Sequence, residues 1–352
     1  IELDSLSGID INMENKHKKF IRRSLYLANK GMGEVFPNPM VGCVIVKENE
    51  IIGEGYHKKF GGAHAEINAI NNVINKNDIE GASVYVSLEP CTHFGKTPPC
   101  TDKLIEYKPK EVIISNTDPN PLVNGKGIKK LRNNNINVIS GVLEKEGKKL
   151  NKRFFINQEK KRPYIILKWA ETSDGFIAKE DGSSKWISCK TSRTLVHKWR
   201  TEETGILIGV NTANKDNARL NVRLWEGRDP IRVILDPNNK LEEKTNILND
   251  QSISLIYNNK LNKTQGQKHF IKISPFKLEN IYYDLYKRGI YSLLVEGGGF
   301  TLNKIIEKNL WDEARIFKSQ LKFFKGIKAP NIKKNTYEKI GEDKLFKITR
   351  NA

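Results

Sequence analysis

The chain has 352 residues, and at roughly 100–200 residues per domain that length points to two domains. With 38% hydrophobic residues and nowhere about 18 apolar residues in a row, it reads as a protein with buried cores and no helical membrane span. Its 4 cysteines exclude a disulfide scaffold at this size and point to a reducing, cytoplasmic compartment.

The formal net charge of +19 invites a nucleic-acid partner, because phosphate neutralisation by Lys and Arg dominates such binding. The lysines are spread in pairs such as Lys18-Lys19, Lys129-Lys130 and Lys333-Lys334, amid abundant Asn. Without a single basic stripe, they read as a solvated surface whose field favours an anionic small substrate. The opening residues lack the basic and apolar segments of a secretory signal; Met13 is a candidate start, with residues 1–12 an extension.

In chain order, Met40–Val46, Ser83–Leu88 and Glu111–Ser115 are apolar or β-branched runs of strand length. Between them, His64–Asn75 predicts a helix with Ile67, Ile70 and Ile74 on one face. This alternation predicts an α/β layer sandwich. A Lys-rich passage from Leu143 to Arg162 ends at Pro163, which disfavours helix at the residue before it, so a domain break is expected near residues 158–163. The run Tyr164–Leu167 opens a second α/β series, with strand candidates Gly205–Gly209, Ile231–Asp236, Ser252–Tyr257 and Tyr291–Glu296 and a helical stretch Thr301–Lys308.

The segments GGAHAEINAI (61–70) and SLEPCTHFGKTPPC (87–100) carry most of the chemistry. Zinc takes neutral imidazole and thiolate ligands, and a catalytic site keeps a fourth position for water. His64, Cys91 and Cys100 satisfy that count with one place open, and Glu66, two residues beyond His64, can move protons without occupying the metal. The pattern H-x-E…P-C is the signature of zinc deaminases, although Cys100 follows Cys91 at a longer interval than the usual C-x-x-C. A structural zinc closed by His93 is the competing arrangement. Cys43, within an apolar strand, reads as a small buried hydrophobe, and Cys189 has no partner motif.

On these residues the chain resembles the bifunctional deaminase–reductases of riboflavin biosynthesis, the RibD family, from about Lys18 to the end. The family's long loop PCxHxGxTPPC matches residues 90–100, and Pro37-Asn38-Pro39-Met40-Val41-Gly42, Gly53-Glu54-Gly55-Tyr56-His57 and Asp118-Pro119-Asn120-Pro121 match further motifs. The resemblance implies zinc ligands His64, Cys91 and Cys100 with Glu66 as proton shuttle. It also implies a substrate pocket lined by Asn38, His57, His93, Lys96 and Asn120. The domains implied are a cytidine-deaminase-like α/β layer sandwich over 14–158 and a dihydrofolate-reductase-like α/β domain over 163–352.

Read alone, the second half offers a strand running into Glu296-Gly297-Gly298-Gly299, where glycines let backbone N–H groups approach phosphate at a helix start; it is not the G-x-G-x-x-G fingerprint. The resemblance adds the reductase motifs Lys168-Trp169-Ala170-Glu171-Thr172-Ser173-Asp174-Gly175 and Ser184-Lys185-Trp186-Ile187. By position it implies NADPH contacts at Ala170, Trp186, Thr212, Asp216 and Gly298. It implies substrate contacts at Ser184, Arg200, Leu220, Arg223 and Glu296, with the two arginines on the phosphate. Two departures stand out: Asp216-Asn217-Ala218 replaces the family's Asp-Asp-Pro, and Thr172-Ser173-Asp174-Gly175 replaces Ser-Leu-Asp-Gly.

The expected function is therefore zinc-dependent hydrolytic deamination of 2,5-diamino-6-ribosylamino-4(3H)-pyrimidinone 5′-phosphate, then NADPH-dependent reduction of the ribosyl group to ribityl. The alternatives are a deaminase with a weakened reductase half, a nucleic-acid-editing zinc deaminase, and a non-catalytic zinc-stabilised binding protein. An editing enzyme needs aromatic platforms along a basic channel, whereas aromatics here are 9% and not interleaved with Arg clusters. The resemblance further implies a homo-oligomer joined through the reductase half, while the dispersed charge and the lack of a long apolar run lead to no expectation of nucleic acid or membrane as partner.

Overall fold

The computed structural model describes residues 3–94, 98–121, 123–183 and 186–350, with side chains from residue 14 onward. The expected site residues Lys96 and Ser184 lie outside the described residues. Two compact units divide the chain at Ile1–Lys160 and Lys161–Ala352.

The first unit runs α1 (Leu3–Asn29), β1 (Gly42–Lys47), β2 (Glu50–Tyr56), α2 (Ala65–Asn71), β3 (Ser83–Leu88), α3 (Cys100–Tyr107), β4 (Glu111–Asn116), α4 (Lys126–Arg132), β5 (Asn137–Ser140), α5 (Glu144–Leu150) and α6 (Lys152–Lys160). Its sheet has the order β2-β1-β3-β4-β5, antiparallel on both sides of β1 and parallel from β3 to β5. Strand alternation sends Val44, Val46, Tyr85 and Ile113 to the face covered by α1. Cys43, Ile45, Val84, Val86, Val112 and Ile114 face the opposite core, which also receives Ala69 and Leu104. Cys43 is fully buried, as a small core residue.

α2 is shorter than the sequence pattern predicts. It ends at Asn71, and Asn72 turns its N–H back onto Asn68 and Ala69. Ile70 is 3% exposed, whereas Ile74, beyond the last turn, stands fully in solvent. The three isoleucines therefore do not share one buried face. Against β2, α2 approaches so closely that a Cβ on Gly55 would fall 2.3 Å from the Ala69 nitrogen; only glycine permits this contact. That approach fixes the helix start bearing Glu66.

The second unit comprises β6 (Tyr164–Glu171), β7 (Phe176–Ala178), α7 (Lys190–Glu202), β8 (Gly205–Gly209), α8 (Val210–Asp216), β9 (Ile231–Leu235), α9 (Asn246–Asn249), β10 (Ser254–Asn258), β11 (Lys263–Gln265) and β12 (Lys268–Lys272). It continues through α10 (Leu278–Lys287), β13 (Ser292–Val295), α11 (Gly299–Glu307), β14 (Glu313–Lys318), β15 (Ile327–Lys328), β16 (Glu338–Ile340) and β17 (Asp343–Thr349). A sheet of order β11-β12-β10-β9-β8-β13-β6-β14-β17-β16 is parallel from β12 to β14, with antiparallel strands closing both edges. Its central strands are buried on both sides and read as near-continuous Ile, Leu and Val, which made them legible in the sequence. One core joins Leu207, Val233, Leu293 and Val295 to Ile281 and Leu285 of α10 and Leu302 and Ile305 of α11. The other packs Ile206, Ile208, Ile234 and Ile256 against Ala213, Leu220 and Ile247.

Candidate active sites

In the first unit His64 is the cap residue before α2, Cys91 follows β3, and Cys100 opens α3. Their donor atoms converge: His64 Nδ1 lies 3.3 Å from Cys100 Sγ and 3.6 Å from Cys91 Sγ, and all three lie within 4.8 Å of one another. Zinc bonds of about 2.1 Å to nitrogen and 2.3 Å to sulfur at tetrahedral angles give an N···S edge of about 3.6 Å, so the trio forms one face of a zinc tetrahedron. His93 is exposed and does not belong to this group, which leaves the fourth vertex to a non-protein ligand among the described residues.

Glu66, in the first turn of α2, is 3% exposed. Burial raises its pKa, partly offset by His64. A carboxyl poised to hold and release a proton beside an open metal vertex suits general acid–base work. The Cys91 thiol is lowered to about 4, first by its hydrogen bond with Cys100 and then by His64, while Cys100 is pushed up by the same contact.

The side chains around this face are tied to the backbone. His57 is buried; its Nδ1 donates to the Ala63 carbonyl at 3.0 Å, and its Nε2 accepts from Asn38 Nδ2 at 3.1 Å. Burial keeps its pKa low, and its ring stands edge-on to that of His64 at 5.3 Å. Asn38 and His57 are thus joined at the metal face. Asn120 is half-buried, and its N–H donates to Asp118 Oδ1 at 2.8 Å.

Two acids there were not assigned from sequence. Asp118 is buried and its pKa is raised to about 7, chiefly by desolvation. Glu89, just before Pro90-Cys91, accepts the N–H groups of Asp118 at 3.2 Å, Gly125 at 2.9 Å, Gly127 at 2.9 Å and Ile128 at 3.2 Å. One carboxylate thereby holds the loop carrying Asn120 to the strand end that presents Cys91. The acidic residue in Leu88-Glu89-Pro90-Cys91, between an apolar strand and a thiolate, was the signal available.

In the second unit a cavity of about 1150 Å³ opens along the carboxyl-terminal edge of the sheet. It exceeds the roughly 300–1,000 Å³ of single-ligand pockets, as a site for both a dinucleotide and a substrate must. Ala170, Trp186, Thr212, Asp216 and Gly298 all line it, as do Arg200, Arg223 and Glu296. Leu220 lines an adjoining cavity of about 450 Å³ together with Asn217, Ala218 and Arg223. Gly298 donates its N–H to Thr212 Oγ1 at 3.1 Å, and a Cβ on Gly209 or Gly298 would stand 2.6 or 2.9 Å from a threonine hydroxyl. Two helix starts thus meet over a glycine-floored cradle that suits a diphosphate.

Beside the cradle Glu296 is clamped by Arg200, Nε to Oε1 at 2.9 Å and Nη2 to Oε2 at 3.0 Å, with Lys168 Nζ 3.4 Å from Oε2. Burial raises the pKa of Glu296, but Arg200 and Lys168 outweigh it and hold the group at about 2. Arg200 also donates to the Asn221 carbonyl, so three of its five N–H groups are committed within the protein and Arg223 is the freer cation. His197, one turn before Arg200, lines the cavity, and its Nδ1 accepts the Arg223 backbone N–H at 3.0 Å. Lys168 and His197 were not assigned roles from sequence; helical spacing from Arg200 pointed to His197.

The family departures have local explanations. Asn217 ends α8 with φ of 42°, a left-handed conformation that Asn tolerates, and its Oδ1 accepts the Asn246 N–H at 2.7 Å. Thr172 and Ser173 spend their hydroxyls on Asp174 and on the Leu321 carbonyl.

Residues 14–116 match the cytidine and deoxycytidylate deaminase zinc-binding region, and residues 163–319 match the RibD C-terminal domain. A riboflavin biosynthesis protein RibD of Aquifex aeolicus is 40% identical over 95% of this chain and 98% of its own. The crystal structure of a diaminohydroxyphosphoribosylaminopyrimidine deaminase/5-amino-6-(5-phosphoribosylamino)uracil reductase from Thermotoga maritima superposes with a TM-score of 0.86 at 39% identity, covering 96% of this chain and 99% of that one. Acinetobacter baumannii RibD gives 0.87 at 30% identity, over 96% and 100%. The converging zinc donors and the glycine-floored cavity, together with these likenesses, place the chain in the RibD family, as a bifunctional zinc- and NADPH-using enzyme of riboflavin biosynthesis with a deaminase half and a reductase half.

Proposed function

We propose that residues 14–158 deaminate a diaminohydroxyphosphoribosylaminopyrimidine and that residues 163–352 reduce the resulting phosphoribosylaminouracil at its ribosyl group. The observation that carries the reading is the His64–Cys91–Cys100 face with Glu66 buried beside it. Zinc held there supplies the Lewis acidity that brings the pKa of water toward about 7. Glu66 would take one proton of that water and pass it to the ring nitrogen as the water oxygen bonds to the amino-bearing carbon, then carry the second proton to the amino group as the C–N bond breaks and ammonia leaves. Asn38, oriented through His57, and Asn120, held through Asp118 and Glu89, position the pyrimidine, and the family resemblance adds His93 and Lys96 as substrate contacts.

In the reductase half NADPH supplies the hydride. Ala170, Trp186, Thr212, Asp216 and Gly298 hold the dinucleotide along the cradle. Ser184, Leu220 and Arg223 bind the substrate, with Arg223 on its phosphate, and Arg200 fixes Glu296 at the ribose. As the ribosyl carbon gains hydride and its bond to the ring oxygen breaks, that oxygen would need a proton, which Lys168, paired with Glu296, would supply. The reading also takes the enzyme as a cytoplasmic homo-oligomer acting without nucleic acid; among the described residues no helix is long and apolar enough to cross a membrane.

Cys100→Ser tests the metal assignment: bound zinc, measured by elemental analysis of the purified protein, should fall to a small fraction of the wild-type content and ammonia release should cease. Full zinc retention would contradict it.

A further inference from the structure

The reductase cavity extends beyond the glycine cradle. Strand order along the parallel edge is β12-β10-β9-β8-β13-β6. Lys168 and Ala170 belong to β6, and Glu296 follows β13, on one side of the cradle. On the other side the cavity is bounded by the turns after β9 and β12, with Leu235, Lys240, Phe276 and Lys277 in its wall. A dinucleotide whose nicotinamide faces the substrate residues and whose diphosphate crosses the cradle places its adenosine at these turns.

The chemistry of that end is specific. Asp236 sits at the end of β9, where an acidic side chain in dinucleotide folds holds the ribose hydroxyls and disfavours a phosphate there. Here it is 1% exposed, and both its oxygens are spent on the backbone: Oδ1 accepts the Lys240 N–H at 2.7 Å and Oδ2 the Leu241 N–H at 2.9 Å. The Lys240 carbonyl in turn accepts Asn214 Nδ2 at 2.8 Å. The backbone of Lys240 is therefore clamped on both sides while its side chain is exposed. Lys277 is held as the cap of α10, its carbonyl accepting the Ile281 N–H at 3.1 Å. Other lysines along the wall are engaged, Lys304 with Glu307, Lys308 with Glu279, and Lys215 with the Asp181 carbonyl. Neither Lys240 nor Lys277 has an ion pair among the described residues. Half-buried Leu235, Phe276 and Leu278 offer apolar surface to a base.

We propose that Lys240 and Lys277 select NADPH over NADH, their ammonium groups taking the phosphate on the 2′ oxygen of the adenosine ribose. A lysine serves phosphate as a compact point charge, and two free ones at an end whose acid is turned inward make that end complementary to a dianion. The inference rests on the placement of the dinucleotide across the cradle given above.

The test is calorimetric titration of the full chain with 2′,5′-ADP, 5′-ADP and ribose 5-phosphate, in the wild type, Lys240→Glu and Lys277→Glu. Wild type should bind 2′,5′-ADP at least about tenfold more tightly than 5′-ADP, and each charge reversal should lower that ratio by about tenfold, with 5′-ADP affinity changing less than about threefold. An unchanged ratio in both variants would overturn the proposal. So would selective loss of ribose 5-phosphate binding, which would give these cations to the substrate. If wild type binds neither adenosine phosphate, the placement of the dinucleotide itself is wrong, a failure separable from the other two.

Discussion

A carboxyl group enclosed between an imidazole and two thiols has little water to stabilise its charge, and that enclosure is what suits Glu66 to the proton transfers proposed for it. Its raised pKa brings proton uptake closer to neutral pH, while its position off the donor triangle leaves the metal vertex free. Glu66→Gln keeps shape and burial but cannot carry the proton. Deamination should fall by about 10²–10⁴-fold with zinc content and thermal midpoint nearly unchanged; parallel loss of zinc would make Glu66 a ligand-supporting group instead. At the other site His197 has its pKa lowered to about 4 by burial, Arg200 and Arg223, against the usual 6.5. Its folded-state pKa lies below its unfolded one, so between pH 6.5 and 4 the unfolded chain binds more protons. The His197 contribution to stability is complete above pH 6.5 and declines as pH falls toward 4. His197→Asn should flatten that part of the stability–pH profile, as measured by urea titration at several pH values; an unchanged slope would show that His197 is not the group responsible.

At the scale of elements, the two sites are built from strand ends and helix starts whose positions depend on buried polar ties. Glu89 holds four backbone N–H groups from residues 29 to 39 positions later in the chain. Glu89→Ala leaves those donors unpaired and should cost about 3 kcal/mol or more in urea unfolding of the deaminase unit; a cost under about 1 kcal/mol would mean that water replaces the carboxylate. In the reductase unit Arg232 is 1% exposed, with Nη1 2.6 Å from Asp250 Oδ2 and Nε 3.0 Å from Ser254 Oγ. Asp250→Ala should destabilise by about 3 kcal/mol, since it strands the buried Arg232 guanidinium and the Lys268 ammonium that share its carboxylate. These ties also explain what the sequence concealed. The convergence of His64, Cys91 and Cys100 could be anticipated because ligand type and count are a local pattern, and the central strands because burial on both faces makes them uniformly apolar. Glu89 and His197 act through backbone 26 to 39 positions away in the chain, and Asp118 through its burial, none of which a local period records. α2 misled for a related reason: Ile74 continues the helical period, but the chain has already left the helix at Asn71.

For the whole molecule, each unit encloses its own core and its own candidate site, and the composition carries a surplus of lysine over both. The two chemistries should accordingly be separable by substitution: Glu66→Gln stops the first step while leaving NADPH oxidation intact when the deaminated intermediate is supplied. The most direct measurement is a coupled assay in which the purified chain receives the diaminopyrimidine ribosyl phosphate and NADPH, and ammonia release and NADPH oxidation are followed independently. The account predicts one NADPH oxidised for each ammonia released, with ammonia appearing first. Ammonia released with no NADPH consumed would contradict it.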